Sequence, residues 1–346
     1  MADRRTLVRP PPLDPSKSAI ENVLELTELK QIGPDMFTNT RPLWHPPGAR
    51  GIYGGAVIAQ CLAAGQRTVP ENFTVHSMHC YFVLAGDATI PVMYYVEHVR
   101  EGRSFATRTV QARQRGMAIF TTTMSFTRED SGGHKTVEHA VPLPGKHLPP
   151  PDVEDEDLDG NSPFMCRRID MLNKDSKDVY TKRPRQWIKA RGRISEAGGH
   201  QAHLSALAYM SDSYFIGTVS RINNLWRFGE SPEGTDLTPA MEQRKRYLQK
   251  WKVSEGLHPD AQKADGQPEV GMMVSLDHSI YFHEPRNFRA DEWMYSEMTS
   301  PWSGKGRGVV QQHMFSADGT LIATCFQEGV VRLKEDKKAT PPASKL

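Results

Sequence analysis

Three polar residues stand inside otherwise apolar segments of the second half of the chain. Asp277 lies in Val274-Ser275-Leu276-Asp277-His278-Ser279-Ile280-Tyr281-Phe282, and Ser300 follows Met298-Thr299 ahead of Pro301-Trp302. Gln327 lies in Thr324-Cys325-Phe326-Gln327-Glu328-Gly329-Val330. Burying such groups without partners costs about 1 to 3 kcal/mol each, so they bond one another or open onto a cleft. By spacing alone, structural hydrogen bonding is the favoured reading. His278 and His283 add a second possibility, an Asp-His pair for general acid-base chemistry. In the first half, Gly54-Gly55 opens a small-residue run through Ala64, and amide groups at such a helix start could polarise a carbonyl oxygen or hold an anion. Close helix packing is the plainer reading of the same glycines. Gln60 and Asp212 sit on the two helix candidates, where a lone polar residue most often caps or satisfies backbone, with substrate contact as the alternative.

These residues need elements to position them, and the elements come in two copies. His76-Ser77-Met78 parallels His278-Ser279-Ile280, Gly102-Arg103 parallels Gly306-Arg307, and Gly116 parallels Gly319, with separations of 202, 204 and 203 residues. One offset across three matches indicates two copies of a single structural unit. Each copy predicts a helix followed by strands. Gly54 to Ala64 is apolar nearly all round, so its helix must be covered on most sides, and Leu204 to Asp212 is the second helix. Val75 to Leu84, Ile90 to Arg100, Ser104 to Arg113 and Ala118 to Phe126 carry the β-branched and aromatic residues of an antiparallel sheet. Ser275 to His283, Glu292 to Met298, Gly308 to Phe315 and Leu321 to Leu333 repeat it, with turns at Arg115-Gly116 and Asp318-Gly319. The layout is α+β, a tandem hot-dog: two central helices, each wrapped by an antiparallel sheet, the sheets meeting edge to edge.

The domain reading is an N-terminal unit over 1–130, a linker over 131–163, a C-terminal unit over 164–335 with an insertion at 221–271, and a tail from 336 to 346. The linker carries Gly132-Gly133, Pro149-Pro150-Pro151 and an acidic run from Asp152 to Asp159. In the insertion Thr238-Pro239 starts a helix, and Met241 to Trp251 reads as helical with Arg244, Lys245, Arg246 and Lys250. Such a run is usually a solvated face; the sharper reading is a cap that contacts phosphates or lines an interface.

Bulk properties exclude several classes. The 346 residues carry 43 Lys and Arg against 41 Asp and Glu, which gives no case for nucleic acid from net charge. No stretch approaches the ~20 apolar residues of a membrane span, and Met1 to Arg5 lacks a signal-peptide core. Cys61, Cys80, Cys166 and Cys325 lie far apart with no C-x-x-C pair, so free thiols are expected rather than a zinc site or disulfides. No metal or redox cofactor is expected. Ser344-Lys345-Leu346 spells the tripeptide read by the peroxisomal import receptor, and the charged, then Ala-, Thr- and Pro-rich run before it predicts a mobile tail that exposes it.

Leu276-Asp277-His278-Ser279 with Phe282-His283, Ser300-Pro301-Trp302 with Arg307-Gly308, Asp318-Gly319 and Gln327-Glu328-Gly329-Val330 resemble, in order and spacing, the type II acyl-CoA thioesterases. Tyr53-Gly54-Gly55, Val75-His76-Ser77 with Tyr81-Phe82, Gly86-Asp87 and Gly102-Arg103-Ser104-Phe105 carry the resemblance through the first half. The resemblance implies hydrolysis of fatty acyl-CoA to free acid and CoA, with Asp277, Ser300 and Gln327 holding the attacking water and Thr299 as an alignment rival to Ser300. It also implies backbone amides near a central helix, at Gly54, Gly55 or the second helix start, as the carbonyl-oxygen donors. The insertion is absent from the compact bacterial relatives, and a homodimer is expected. A hot-dog enoyl-CoA hydratase is one rival. Its family pattern is Asp-x4-His, whereas here position 282 is Phe and His283 comes one residue late, on the opposite face of a strand. A non-catalytic acyl-CoA-binding protein is the other.

Overall fold

A computed structural model describes residues 10–46, 49–133, 135–145, 148–151, 162–232 and 237–335. The first half runs α1 (Ala19–Leu24), β1 (Leu26–Glu28), β2 (Met36–Asn39), α2 (Gly54–Gln66), β3 (Phe73–Phe82), β4 (Met93–Glu101), β5 (Phe105–Gln114) and β6 (Met117–Arg128). The second runs β7 (Phe164–Leu172), β8 (Arg183–Ala190), α3 (Gly199–Ser211), α4 (Gly217–Ile222), α5 (Pro239–Ser254), β9 (Val270–Ser275), β10 (Asp277–Phe282), β11 (Met294–Gly304), β12 (Arg307–Phe315) and β13 (Leu321–Leu333). The strands form one antiparallel sheet in the order β1-β2-β4-β5-β6-β3-β10-β13-β12-β11-β8-β7, with β9 paired to β13. Each half contributes the same strand sequence in mirror order, so the fold is the expected tandem hot-dog.

The halves join where β3 pairs β10, with Met78 opposite Ile280 and Cys80 opposite His278. Met78 and Ile280 are equivalent residues of the repeat, so an approximate twofold axis passes through this seam. His79 Nδ1 and Ser279 Oγ meet across it at 3.0 Å. Both central helices lie on the concave face of the sheet, buried as their apolar composition requires. They cross closely: a Cβ on Gly55 would stand 2.3 Å from Tyr209 O, so glycine is the residue that lets α2 approach α3. Alternation is clear in β5, where every second residue from Ala106 to Gln114 is buried.

The hairpins follow their turn residues. Arg115 and Gly116 both take positive φ, 50° and 77°, as a two-residue turn between right-twisted strands demands. Asp318-Gly319 sits instead in a five-residue connection closed by the Gly319 amide donating to Ser316 O, with Gly319 at φ 94°. The cap helix forms as its start signal predicts, the Thr238 side chain accepting from the Met241 amide. Strands β7 and β8 were not anticipated. Within the stretch between the halves, Leu143 packs against a satellite core of Met165, Trp187, Trp293, Tyr295 and Phe315. The acidic run at 152–159 and the C-terminal tripeptide lie outside the described residues.

Candidate active site

Two β-bulges place the candidate residues. β13 pairs β10 at Phe326 opposite Ser279 and β9 at Gly329 opposite Ser275, so residues 276–278 oppose only 327–328. A bulge leaves a ladder donor unmatched and re-aims the side chains around it. The donor here is the Glu328 amide, and Asp277 Oδ1 accepts it at 2.7 Å. The second bulge lies between Thr299 and Trp302 on β11 and contains Ser300. Across the sheet, Ser300, Val310, Gln327, His278, Cys80 and Thr122 form one buried row on the face that meets the helices. Thr299 pairs Gln311 on the outer face, the wrong side for Gln327.

Gln327, 1% exposed, is the centre of a hydrogen-bonded set. Its Nε2 donates to Asp212 Oδ1 at 2.8 Å and lies 3.1 Å from His278 Nδ1. His278 Nε2 lies 3.0 Å from Ser211 Oγ, which itself donates to Ala208 O. That chain fixes His278 as the Nε2–H tautomer, and full burial pushes its pKa down to about 3, so the ring is neutral. Gln327 Oε1 is left without a hydrogen-bond partner among the described residues. Ser300 does not join the set directly: its Oγ donates to Val309 O at 2.8 Å, and the β12 strand separates it from β13.

Asp212 is the link between the halves. It is the C-cap residue of α3, yet its carboxylate accepts the Gly55 amide at the start of α2, where Tyr53 offers no side-chain cap. One helix thereby caps the other. Burial raises the Asp212 pKa to about 6, against the lowering by Gln327 and the Gly55 amide. Asp277 is raised too, by burial first, with the Glu328 amide working the other way. A Cβ on Gly54 would lie 2.7 Å from both Asp212 Oδ2 and the Phe82 ring, so glycine there keeps the approach open.

Asp212 brings this set to the wall of a cleft of about 1300 Å³ that is also lined by Gly54, Val57, Phe82, Phe120 and Leu276. The residue set expected from sequence is therefore brought together in part. Gln327 meets Asp212 and the Gly54-Gly55 helix start on the inner face, whereas Asp277 adjoins the bulge through the Glu328 amide, opposite the exposed Tyr81. Gln60, expected as a possible substrate contact, is instead fully buried: it accepts from Tyr94 Oη and donates to Val23 O at 3.1 Å. An inward-facing amide on an all-apolar helix needs partners of its own, and α1 and β4 supply them. The Asp-His pair does not form, since both His278 nitrogens are engaged elsewhere and His283 bonds Thr324 Oγ1 at 2.9 Å. Sequence reasoning gave Asp212 only a capping or contact role; its bond to Gln327 depends on a helix crossing that no local pattern encodes.

A buried carboxamide bonded to the Asp212 carboxylate of raised pKa, at a helix start that lines a cleft, is an arrangement suited to hydrolysis on a hot-dog fold. Comparison with known proteins narrows the class. Residues 41–127 match the family model described as the acyl-CoA thioesterase N-terminal domain, and residues 144–331 the acyl-CoA thioesterase C-terminal domain. Human acyl-coenzyme A thioesterase 8 is 33% identical over 94% of this chain and 92% of its own length. The peroxisomal acyl-coenzyme A thioester hydrolase 1 of Saccharomyces cerevisiae is 26% identical over 91% of this chain and 96% of its own. The solved acyl-CoA thioesterase II of Mycobacterium marinum superposes with a TM-score of 0.63 at 26% identity, covering 93% of this chain and 100% of that one. The chain belongs to the acyl-CoA thioesterase family and is a thioester hydrolase.

Proposed function

We propose that the protein hydrolyses fatty acyl-CoA with an activated water that Gln327 orients and that a carboxylate, Asp277 in the first reading, deprotonates, with Ser300 supporting the neighbouring strand. The observation that carries this is Gln327: its Nε2 is fixed by Asp212 and His278, which leaves Oε1 to orient water. The water oxygen adds to the thioester carbonyl while Asp277 takes its proton, and the C–S bond then breaks. The proton passes to the departing thiolate, giving free acid and CoA thiol. The Gly54 amide at the start of α2 faces the developing oxyanion, the Gly55 amide being engaged by Asp212, and the positive dipole end of the helix favours that charge. No covalent intermediate is needed. Ser300 lies on the same sheet face with Val310 between it and Gln327, and its hydroxyl, donated to Val309 O, fixes the β11 bulge beside the site.

A second reading is favoured by one observation: Asp212, not Asp277, lines the cleft. In it Asp212 is the base. Asp277→Asn and Asp212→Asn separate the two, assayed as thiol release from acyl-CoA. Under the first reading Asp277→Asn loses most activity at every pH, and Asp212→Asn keeps turnover but loosens Gln327. The reverse result installs Asp212 as the base.

The domain division, homodimerisation and peroxisomal residence are part of the same proposal. Support for the last is the terminal Ser344-Lys345-Leu346 and the similarity to a yeast enzyme described as peroxisomal. Deleting the tripeptide and following the chain's distribution between peroxisomes and cytosol tests it, and import that survives the deletion would contradict it.

A further inference from the structure

A second cavity, also of about 1300 Å³, adjoins the reaction cleft through Tyr53, Arg227, Phe228, Tyr247 and Trp251. Its charge is lopsided. Eight Arg and Lys side chains line it against two carboxylates, Asp170 and Glu255, in a chain that is nearly neutral overall. At its centre Glu255, 3% exposed, pairs with Arg168, Arg221 and Arg227, all largely buried. Three guanidinium groups around one carboxylate leave two positive charges uncompensated in a poorly solvated place.

The arginines are nevertheless held in position. The Arg168 guanidinium lies 4.4 Å from the Tyr214 ring centroid and Arg221 5.8 Å from it. Tyr214 takes φ 57°, a conformation that costs a bulky residue on the order of 1 kcal/mol or more. Arg168 Nη2 and Arg221 Nε are buried and make no hydrogen bond among the described residues. Burial, and then the neighbouring guanidinium charges, hold Arg221 well below the usual arginine range and Arg227 down to about 9. Buried, like-charged guanidinium groups that share one carboxylate and keep a donor to spare on a cavity wall are the arrangement that a phosphate group completes, through paired, charge-assisted hydrogen bonds.

We infer that this cavity is an anion site that takes the phosphorylated nucleotide end of coenzyme A, while the acyl chain lies in the adjoining cleft. The reaction centre stands at the boundary, since Asp212 lines the acyl cleft and the next residues, Ser213 and Tyr214, line the arginine cavity. The cleft offers Val57, Phe82, Ile119, Phe120, Met273 and Leu276 to the acyl chain, and its five Arg and Lys side chains include Arg227 and Lys250, which it shares with the arginine cavity. The inference rests on the thioesterase reading of the chain and goes beyond it by assigning an end of the substrate to each cavity.

The test compares one acyl group carried on CoA and on pantetheine, which lacks the nucleotide phosphates, together with calorimetric titration of 3′,5′-bisphosphoadenosine into the full chain. Expected in wild type is binding of the bisphosphate that competes with acyl-CoA. Arg168→Gln is expected to weaken that binding and raise KM for acyl-CoA roughly tenfold or more, with acyl-pantetheine hydrolysis unchanged. Arg168→Lys, which keeps the charge, is expected to lose less. Arg244→Gln, in the acyl cleft, tests the rival placement of the phosphates, and Lys30→Gln, exposed and outside both cavities, serves as the control that should leave both substrates unchanged. No binding of the bisphosphate to wild type would overturn the inference without reference to any variant. Binding without competition would assign the arginines to a separate phosphorylated ligand. A KM effect in Arg244→Gln but not Arg168→Gln would move the phosphates to the other cavity. Persistent acyl-pantetheine hydrolysis throughout keeps the thioesterase reading intact whichever way the phosphates go.

Discussion

The two halves of the chain share one architecture and differ at the places where chemistry could occur. The bulge at His278 in the second half has its counterpart at His76 in the first, where Val75 pairs Phe126 and Ser77 pairs Ser125. The β11 bulge at Ser300 is matched by one on β4 between His98 and Arg100. By this register Val75, Glu101 and Phe126 occupy the places of Asp277, Ser300 and Gln327. The helix ends differ in the same sense. Arg67 caps α2 where Asp212 caps α3, and its guanidinium donates to Leu26 O at 3.0 Å rather than reaching the facing helix. Bulges are therefore a property of the fold, needed to curl the sheet around its helices, whereas the polar set belongs to one half. The first half contributes its helix start to a centre whose side chains come from the second.

The largest effect that sharpens this comparison is expected from Gln327→Ala. With the water's anchor gone, kcat should fall about 100-fold or more while the chain stays folded, as thiol release and circular dichroism would report. The shared helix crossing comes next. Gly55→Ala sets a methyl group against Tyr209 O and the Tyr53 ring, and should lower unfolding free energy by about 1 to 3 kcal/mol in urea titration. An unchanged stability would mean that the halves do not depend on close approach there.

The pH response of the two helix ends should also differ. Asp212 has a folded pKa of about 6, above its unfolded value near 4, so the folded state binds the extra proton between them. Stability contributed by that proton is full below pH ~4 and is lost as pH rises through about 6. Activity runs the other way, because the ionised carboxylate is the form that accepts from Gln327. The expected profile of kcat/KM therefore has an acid limb near pH 6 that Asp212→Asn abolishes. Arg67→Gln, at the equivalent end, should leave that limb in place. The smallest effect is expected from His98→Ala, an exposed position paired with Asp35 and Glu101, with kcat within about twofold of wild type.

Much of this comparison was legible before any coordinates. The eight core strands and both central helices follow from alternation and from all-round apolarity, because those patterns report burial locally. The hairpin glycines follow from the backbone conformations that only a few residues tolerate. What sequence could not show is tertiary in origin. Strand β8, Arg-Pro-Arg-Gln-Trp-Ile-Lys-Ala, reads as a polar segment, yet all but its first residue are buried, because Arg185 donates to Asp170 O and Lys189 stacks on Trp293. The bulge at Asp277 depends on register between strands fifty residues apart. Asp212 gains its role from a helix crossing, and the three arginines around Glu255, at the end of α5, converge from β7, α4 and the segment after it. Gln60 marks the opposite failure, a polar residue whose partners lie in elements too weakly patterned to be foreseen.

The most direct test of the account is the steady-state rate of thiol release from acyl-CoA by Asp277→Asn, measured beside the wild-type chain at pH 7 to 8. If Asp277 takes the proton from water, kcat falls by about 10² to 10⁴ with the unfolding midpoint preserved. A variant that turns over at the wild-type rate would contradict it and pass the role of base to another group.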